Sequence, residues 1–183
     1  MTTPGPQAAT SRLDAALARL TEEQAKTAAL LRRNIIGADT PLVATLEMRY
    51  RMHPGGHLSH LVRKARAVDP DDLPLFSDAD DNGRITESEA LAVRQLDLIV
   101  QGVQGRGTAQ RDVLLAVEVS NVIDARDIGR AAARAATLRT VGYEHAIPVV
   151  VGAYINDENR TVAKGLDVEV RIERLDTDPI PDI

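Results

Sequence analysis

Oxygen-bearing side chains at alternate positions between Asp78 and Glu89, in the run D-A-D-D-N-G-R-I-T-E-S-E, are the clearest chemical signal in the chain. A hard cation such as Ca²⁺ takes six to eight oxygens. The run offers them from Asp78, Asp80, Asn82, the Arg84 carbonyl, Thr86 through a water, and Glu89 with both carboxylate oxygens. Gly83 stands where such a loop turns sharply. The same residues admit a plainer reading, an acidic solvated turn ahead of a helix that starts near Thr86, with Thr86 and Glu89 as its capping box. A second pair of acids lies further along. The apolar runs 96–103 and 113–120 flank Gln104-Gly105-Arg106-Gly107-Thr108-Ala109-Gln110, which reads as a hairpin. If the hairpin is symmetric about the Gly107–Thr108 bond, paired residue numbers add to 215 and Asp97 lies opposite Glu118. Two carboxylates then converge on one face, with Ser120 projecting to the same side. Acids are poor strand formers, and directly opposed like charges repel unless a cation lies between them.

The first pattern resembles the EF-hand calcium loop at every ligand position. That resemblance implies a helix entering Asp78 and another leaving Glu89. Asp69 is a fitting N-cap with Pro70 at the first helical position, but Pro74 then falls inside the entering helix and should shorten or kink it. Ser77 and Pro74 occupy positions where EF-hands usually carry apolar residues, and no second loop of this type occurs in the sequence.

The remaining elements position these groups. Leu13, Leu17, Leu20, Gln24, Thr27 and Leu31 alternate steps of four and three, so a helix over 11–35 with a heptad seam is expected, serving either a coiled-coil homodimer or packing onto the body. A second helix should run from Pro41 through Tyr50, ended by Pro54-Gly55-Gly56, and a third from about 57 to 67. His53, His57 and His60 cluster at that joint, either as a zinc site or as surface histidines at a helix start. After the hairpin, Asp124 with Asp127 three residues later caps a helix carrying Ile128, Ala131, Ala132, Ala135 and Leu138, stopped by Gly142. The nearly continuous apolar run 146–155 reads as a strand buried on both faces; a short helix over 157–164 and a last strand over 166–172 follow. The expectation is an α/β (α+β) domain over 42–173, N-terminal helices followed by a mixed sheet with a hairpin and right-handed βαβ crossovers. Residues 1–10 are expected to be disordered and 174–183 to form a flexible tail.

Composition limits the function classes. The chain has 183 residues, 44% of them hydrophobic, enough for one core and an appendage. It has no apolar run long enough to span a bilayer, and the N-terminus lacks signal-peptide character, so a soluble cytoplasmic protein is expected. With no cysteine, disulfides and thiolate metal sites are excluded. The net charge of −5 is uneven: segment 69–89 carries −7, leaving the rest at +2. Aromatics make up 2%, too few for a dedicated single-strand reader that stacks bases.

Asp97 on the first hairpin strand, Glu118-Val119-Ser120 on the second, and Asp127-Ile128-Gly129-Arg130-Ala131 on the following helix resemble the PD-(D/E)xK nuclease-like superfamily, and more closely its bacterial proteins with an N-terminal helical or coiled-coil extension. The resemblance covers about residues 42–173 and implies a restriction-endonuclease-like fold. It implies Mg²⁺ or Mn²⁺ at Asp97 and Glu118, with Glu47 on the preceding helix as a third ligand, and nucleic acid as the partner. It also implies a lysine two residues after the second acid, where this chain has Ser120. Serine orders a water but carries no charge; Arg130 and Arg134, one turn apart on the next helix, would have to supply it. Two readings follow. One is a divergent metal-dependent nuclease with Asp97, Glu118, Ser120 and Arg130 at its centre. The other is a non-catalytic protein of the same fold, acting as a calcium-responsive or oligomeric interaction module.

Overall fold

The structure, a computed structural model, describes residues 43–173. It opens on helix α1 (43–52), followed by the single turn α2 (Pro54–His57) and strand β1 (Arg63–Val68). A 3-10 turn at Pro70–Asp72 leads to α3 (Pro74–Asp81) and α4 (Glu87–Arg94). Then come β2 (Leu98–Gln104), β3 (Arg111–Ile123), α5 (Ala125–Thr140), β4 (Ala146–Ile155), α6 (Asp157–Gly165) and β5 (Glu169–Ile172). The strands form one mixed sheet in the order β1-β2-β3-β4-β5, antiparallel through β3 and parallel from β3 to β5. This is the expected α/β class with a hairpin and two strand-helix-strand connections.

The hairpin register follows the sequence argument: Leu98 pairs with Val117, Val100 with Leu115 and Gly102 with Val113, each pair adding to 215. Alternation along β3 then assigns its faces. Val113, Leu115, Val117 and Val119 pack with Leu46, Tyr50, Leu58 and Val62 beside α1, whereas Leu114 and Ala116 pack with Ala135 and Leu138 of α5. Glu118 has the parity of the α5 face.

One expected helix is a strand. Residues 57–67 have apolar positions that fit a helical stripe, yet 63–68 pair with β2 as the edge of the sheet. Ala65 and Ala67, two residues apart, both pack on the α1-side core and Val68 packs on the opposite one, which is the period of a strand. Pairing with the apolar β2 overrides a modest local helix propensity. The pairing slips between Arg63 and Arg66, where Lys64 takes a φ of 54°. The helix before the acidic run is also placed differently. Asp69 caps only the 3-10 turn, and Pro74 begins α3 as its first residue, a position where its missing N–H costs nothing, so there is no kink. The last helix runs on to Gly165 and β5 is correspondingly shorter than the 166–172 expected. The 11–35 seam and the two terminal segments, 1–10 and 174–183, lie outside the described residues. Among the described residues no helix is long and apolar enough to cross a membrane.

Candidate functional site

The register sets Asp97, one residue beyond the Leu98–Val117 pair, opposite Glu118, and the charge of Asp97 is felt at the Glu118 carboxyl. Asp97 sits one residue before β2, and its Oδ2 accepts a hydrogen bond from the Val119 N–H at 2.7 Å. Its own carbonyl accepts from Arg51 of α1, at 2.7 Å. Glu118, only 2% exposed, lies in the middle of the sheet under α5.

What meets Glu118 is set by how α5 begins. β3 ends at Ile123, and Asp124 immediately caps α5: its side chain accepts from the N–H groups of Arg126 and Asp127, and the Asp127 carboxylate accepts in turn from the Asp124 N–H. This reciprocal cap fixes the helix start, and positions 127, 130 and 134 then fall on one stripe, with Asp127 and Arg134 buried and Arg130 at its solvent edge. Arg130 donates from Nε to Glu118 Oε2 at 2.9 Å and from Nη2 to Asp127 Oδ1 at 2.6 Å. Arg134 donates from Nη1 to Glu118 Oε1, and the same nitrogen reaches the Gln95 carbonyl at 3.1 Å. Both oxygens of Glu118 are therefore held by guanidinium groups. The Arg134 side chain is 8% exposed and Arg130 is 46% exposed, so one arginine is sealed in and the other reaches water. Among the described residues no buried side-chain nitrogen or oxygen lacks a hydrogen-bond partner.

Burial is the largest influence on both acids and pushes each carboxyl above its usual range. At Glu118 the bond from Arg130 and the charge of Arg134 pull the other way; at Asp97 the Val119 N–H and the same two arginines do so. Glu47 on α1 is also raised, first by burial and then by the charge of Asp97, while Arg51 opposes this. Three carboxyl groups thus sense one end of the sheet. A cleft of about 290 Å³ opens beside Asp97, bordered by Arg51, Arg94 and Asp69. Ser120 stays apart from the network: its hydroxyl donates to the Val122 carbonyl at 3.0 Å.

The oxygen donors between Asp78 and Glu89 do not converge. Helix α3 extends through Asp81, so Asp78 and Asp80 are helical rather than in a loop. Asp78 accepts from Arg84 at 2.5 Å and from the Asn82 amide at 2.9 Å. Asp80 pairs with Arg94 at 2.7 Å, and Arg94 also holds Asp71. Glu89 closes the expected capping box, taking the Thr86 N–H and hydroxyl while the Glu89 N–H binds Thr86 Oγ1; these bonds hold its carboxyl below the usual range. Thr86 and Glu89 thus belong to a helix start, with Gly83 at φ 64° and Arg84 in the turn and bend before it. His53, His57 and His60 do not gather either: His57 stacks on Tyr50 at 4.6 Å and approaches Glu173 at 3.8 Å. Among the described residues no group of three or more His, Cys, Asp or Glu side chains is arranged to hold a metal ion.

Comparisons with protein-family models, with curated proteins and with solved structures find no match to this chain.

Asp97, Glu118 and Arg130, with Arg134 one turn on, are legible in the sequence through the hairpin and the helix that follows it. Asp127 as the partner of Arg130, and Arg51 and Gln95 as supports, come from the structure. The spacing 127-130-134 carried that signal, because acid and arginine three apart on a helix are neighbours.

Proposed function

We propose that this chain is a divergent PD-(D/E)xK nuclease-like protein in which arginine charge stands where the superfamily's metal ion would be, and that it serves as a binding or assembly module without hydrolysis. The observation that carries this reading is the double grip of Arg130 and Arg134 on Glu118. Metal-assisted phosphodiester hydrolysis needs oxygen donors free to hold the ion, an activated water, and a positive group facing the phosphate. Here the two oxygens of Glu118 are engaged, one oxygen of Asp97 is taken by backbone, and the Ser120 hydroxyl is committed to a carbonyl. The donor set therefore does not fit a divalent ion without breaking a buried ion pair. Arginine cannot replace the missing lysine as a proton acceptor, since its guanidinium stays charged in proteins. The cation that a cross-strand acid pair demands is supplied from within the chain.

A cleavage assay tests this directly. Supercoiled plasmid and short duplexes incubated with the full chain and Mg²⁺ or Mn²⁺ should remain intact. Metal-dependent cleavage abolished by Glu118→Ala would overturn the proposal in favour of a working nuclease. One observation favours that second reading: Glu47, on α1, lies within electrostatic reach of Asp97, where the superfamily resemblance asks for a third acid.

Calcium binding at Asp78–Glu89, as a structural or interaction module, stands as a separate proposal supported by the ligand spacing alone. It requires the last turn of α3 to unwind and the Arg84–Asp78 and Arg94–Asp80 pairs to open.

A further inference from the structure

Strand β1 is an edge of the sheet, and the hairpin tip between β2 and β3 lies beside its N-terminal end. Arg63 pairs with Val103 and Arg66 with Gln101, so three steps along β1 match two along β2. The extra residue is absorbed where Lys64 takes a φ of 54°. In a regular strand residues 63 and 66 would point to opposite faces; the bulge turns both arginines to the same one. Neutral acceptors then fix their guanidinium groups: Arg63 donates to the Gly105 carbonyl and Arg66 to the Gln101 side chain. Arg106 stands exposed in the tip beside them. Among the described residues, Arg84, Arg94, Arg130, Arg134 and Arg171 each pair with a carboxylate, whereas Arg63, Lys64, Arg66 and Arg106 form no ion pair. Asp112, the acid that shares the Val103 register with Arg63, stands two strands away, about 10 Å, with Arg111 next to it in sequence.

Charge on an edge strand blocks pairing with other chains, and either sign serves that end. Four exposed cations of one sign, unmatched in a chain of net charge −5, go further and suit an anionic partner. The corner holds none of the exposed large hydrophobic side chains, which are Met48, Met52, Leu75, Leu91, Tyr154 and Leu166. A protein partner calls for an apolar centre, and a membrane surface gains its hold from buried apolar side chains as well as from charge. A phosphate backbone needs neither. Residues 63–66 and 104–111 include no aromatic side chain on which unpaired bases would stack. We propose that this corner of the sheet binds the phosphate backbone of duplex nucleic acid without reading its sequence. The inference deepens the binding-module reading and rests on it, yet the surface is separate from the carboxylate network: it lies at the far end of β2 from Asp97 and Glu118, about 20 Å away at 3.3 Å per residue.

Fluorescence anisotropy of a short labelled duplex of mixed sequence, titrated with the full chain in EDTA, tests the assignment. Affinity should fall about a hundredfold between 50 and 200 mM salt, as the release of counterions from about four phosphate contacts requires. Arg63→Gln/Arg66→Gln/Arg106→Gln should weaken binding about tenfold or more at 50 mM salt and make the log–log salt slope shallower by about 2.7, at about 0.9 per contact. The control Arg84→Gln/Arg126→Gln/Arg160→Gln removes the same charge from other exposed positions and should keep the slope. Arg106→Gln alone, in the tip and outside any strand, should still reduce the slope by about 0.9 with the circular dichroism unchanged. No binding at 50 mM salt, or equal losses in the two triple variants, would overturn the proposal. So would co-sedimentation with phosphatidylserine vesicles without duplex binding, which would assign the corner to a lipid surface. Because no divalent ion is present, the outcome is independent of the cleavage assay: cleavage with Mg²⁺ by a protein that binds through this corner would refute only the non-hydrolytic reading.

Discussion

Removing Arg134 should be the most damaging single change to this domain. Arg134→Met keeps the length and packing of the side chain but leaves Glu118, 2% exposed, with only the half-exposed Arg130 to balance its charge. It also removes the donor to the Gln95 carbonyl, which ties α5 to the end of α4. Breaking a buried ion pair by deleting one partner costs about 3–5 kcal/mol, because the remaining charge stays desolvated. Replacing both partners with apolar groups of similar volume is often neutral or better. Glu118→Leu with Arg134→Met should therefore recover most of the loss, and the coupling between the two sites should be about 2 kcal/mol or more. Because the chain has no tryptophan, urea unfolding followed by circular dichroism at 222 nm is the suitable assay. If Arg134→Met costs less than about 1 kcal/mol, a value typical of solvent-exposed pairs, or if the double variant is no more stable than the single one, then Glu118 does not depend on the arginines and the reasoning fails.

Three further outcomes are expected. Thr86→Ala should lower stability by about 1 kcal/mol through loss of the α4 cap, and millimolar Ca²⁺ should not restore it; a calcium-induced rise in melting temperature that vanishes in Glu89→Gln would instead establish Asp78–Glu89 as an ion-binding loop. The fold favours the neutral phenol of Tyr50, through burial and its 2.5 Å bond to Glu173, so its pKa is raised; the stability it contributes is complete below the ordinary tyrosine value of about 10 and lost as pH rises beyond it. Although burial pushes Glu173 up, the bonds from Tyr50 and Arg171 outweigh it and hold its pKa below the usual range, so its contribution is lost as pH falls through that depressed value, and Tyr50→Phe should flatten both limbs of the stability–pH curve. Gly152→Ala places a Cβ 2.5 Å from the Ser120 carbonyl oxygen in the centre of the sheet, and should cost about 1–3 kcal/mol by overpacking; a neutral result in thermal unfolding would show that β3 and β4 can separate there.

Local patterns with one strong interpretation were legible in the sequence. The hairpin register followed from a symmetric turn between β-branched runs, and that alone brought Asp97 to Glu118. The start of α5 followed from Asp124 and Asp127, and the start of α4 from Thr86 and Glu89. Where two interpretations shared the same residues, the sequence could not choose. Leu58, Leu61, Val62 and Ala65 satisfy a helical stripe, and only the presence of β2 as a pairing partner makes 63–68 a strand. Asp78, Asp80 and Glu89 satisfy a ligand spacing, but Arg84 and Arg94 lie close enough to neutralise two of them within a helical frame. The grip on Glu118 was half visible: the arginines were on the right helix, but that both would turn to one buried carboxylate depends on the distance between α5 and the sheet, which spacing along the chain does not encode.

The central claim is that internal arginine charge replaces a divalent ion at the carboxylate pair. Calorimetric titration of Mn²⁺ into the full-length protein and into Glu118→Gln at neutral pH tests it most directly. The two proteins should give the same isotherm, with no binding event that depends on Glu118. A stoichiometric site present in the unmodified protein and absent from Glu118→Gln would contradict it.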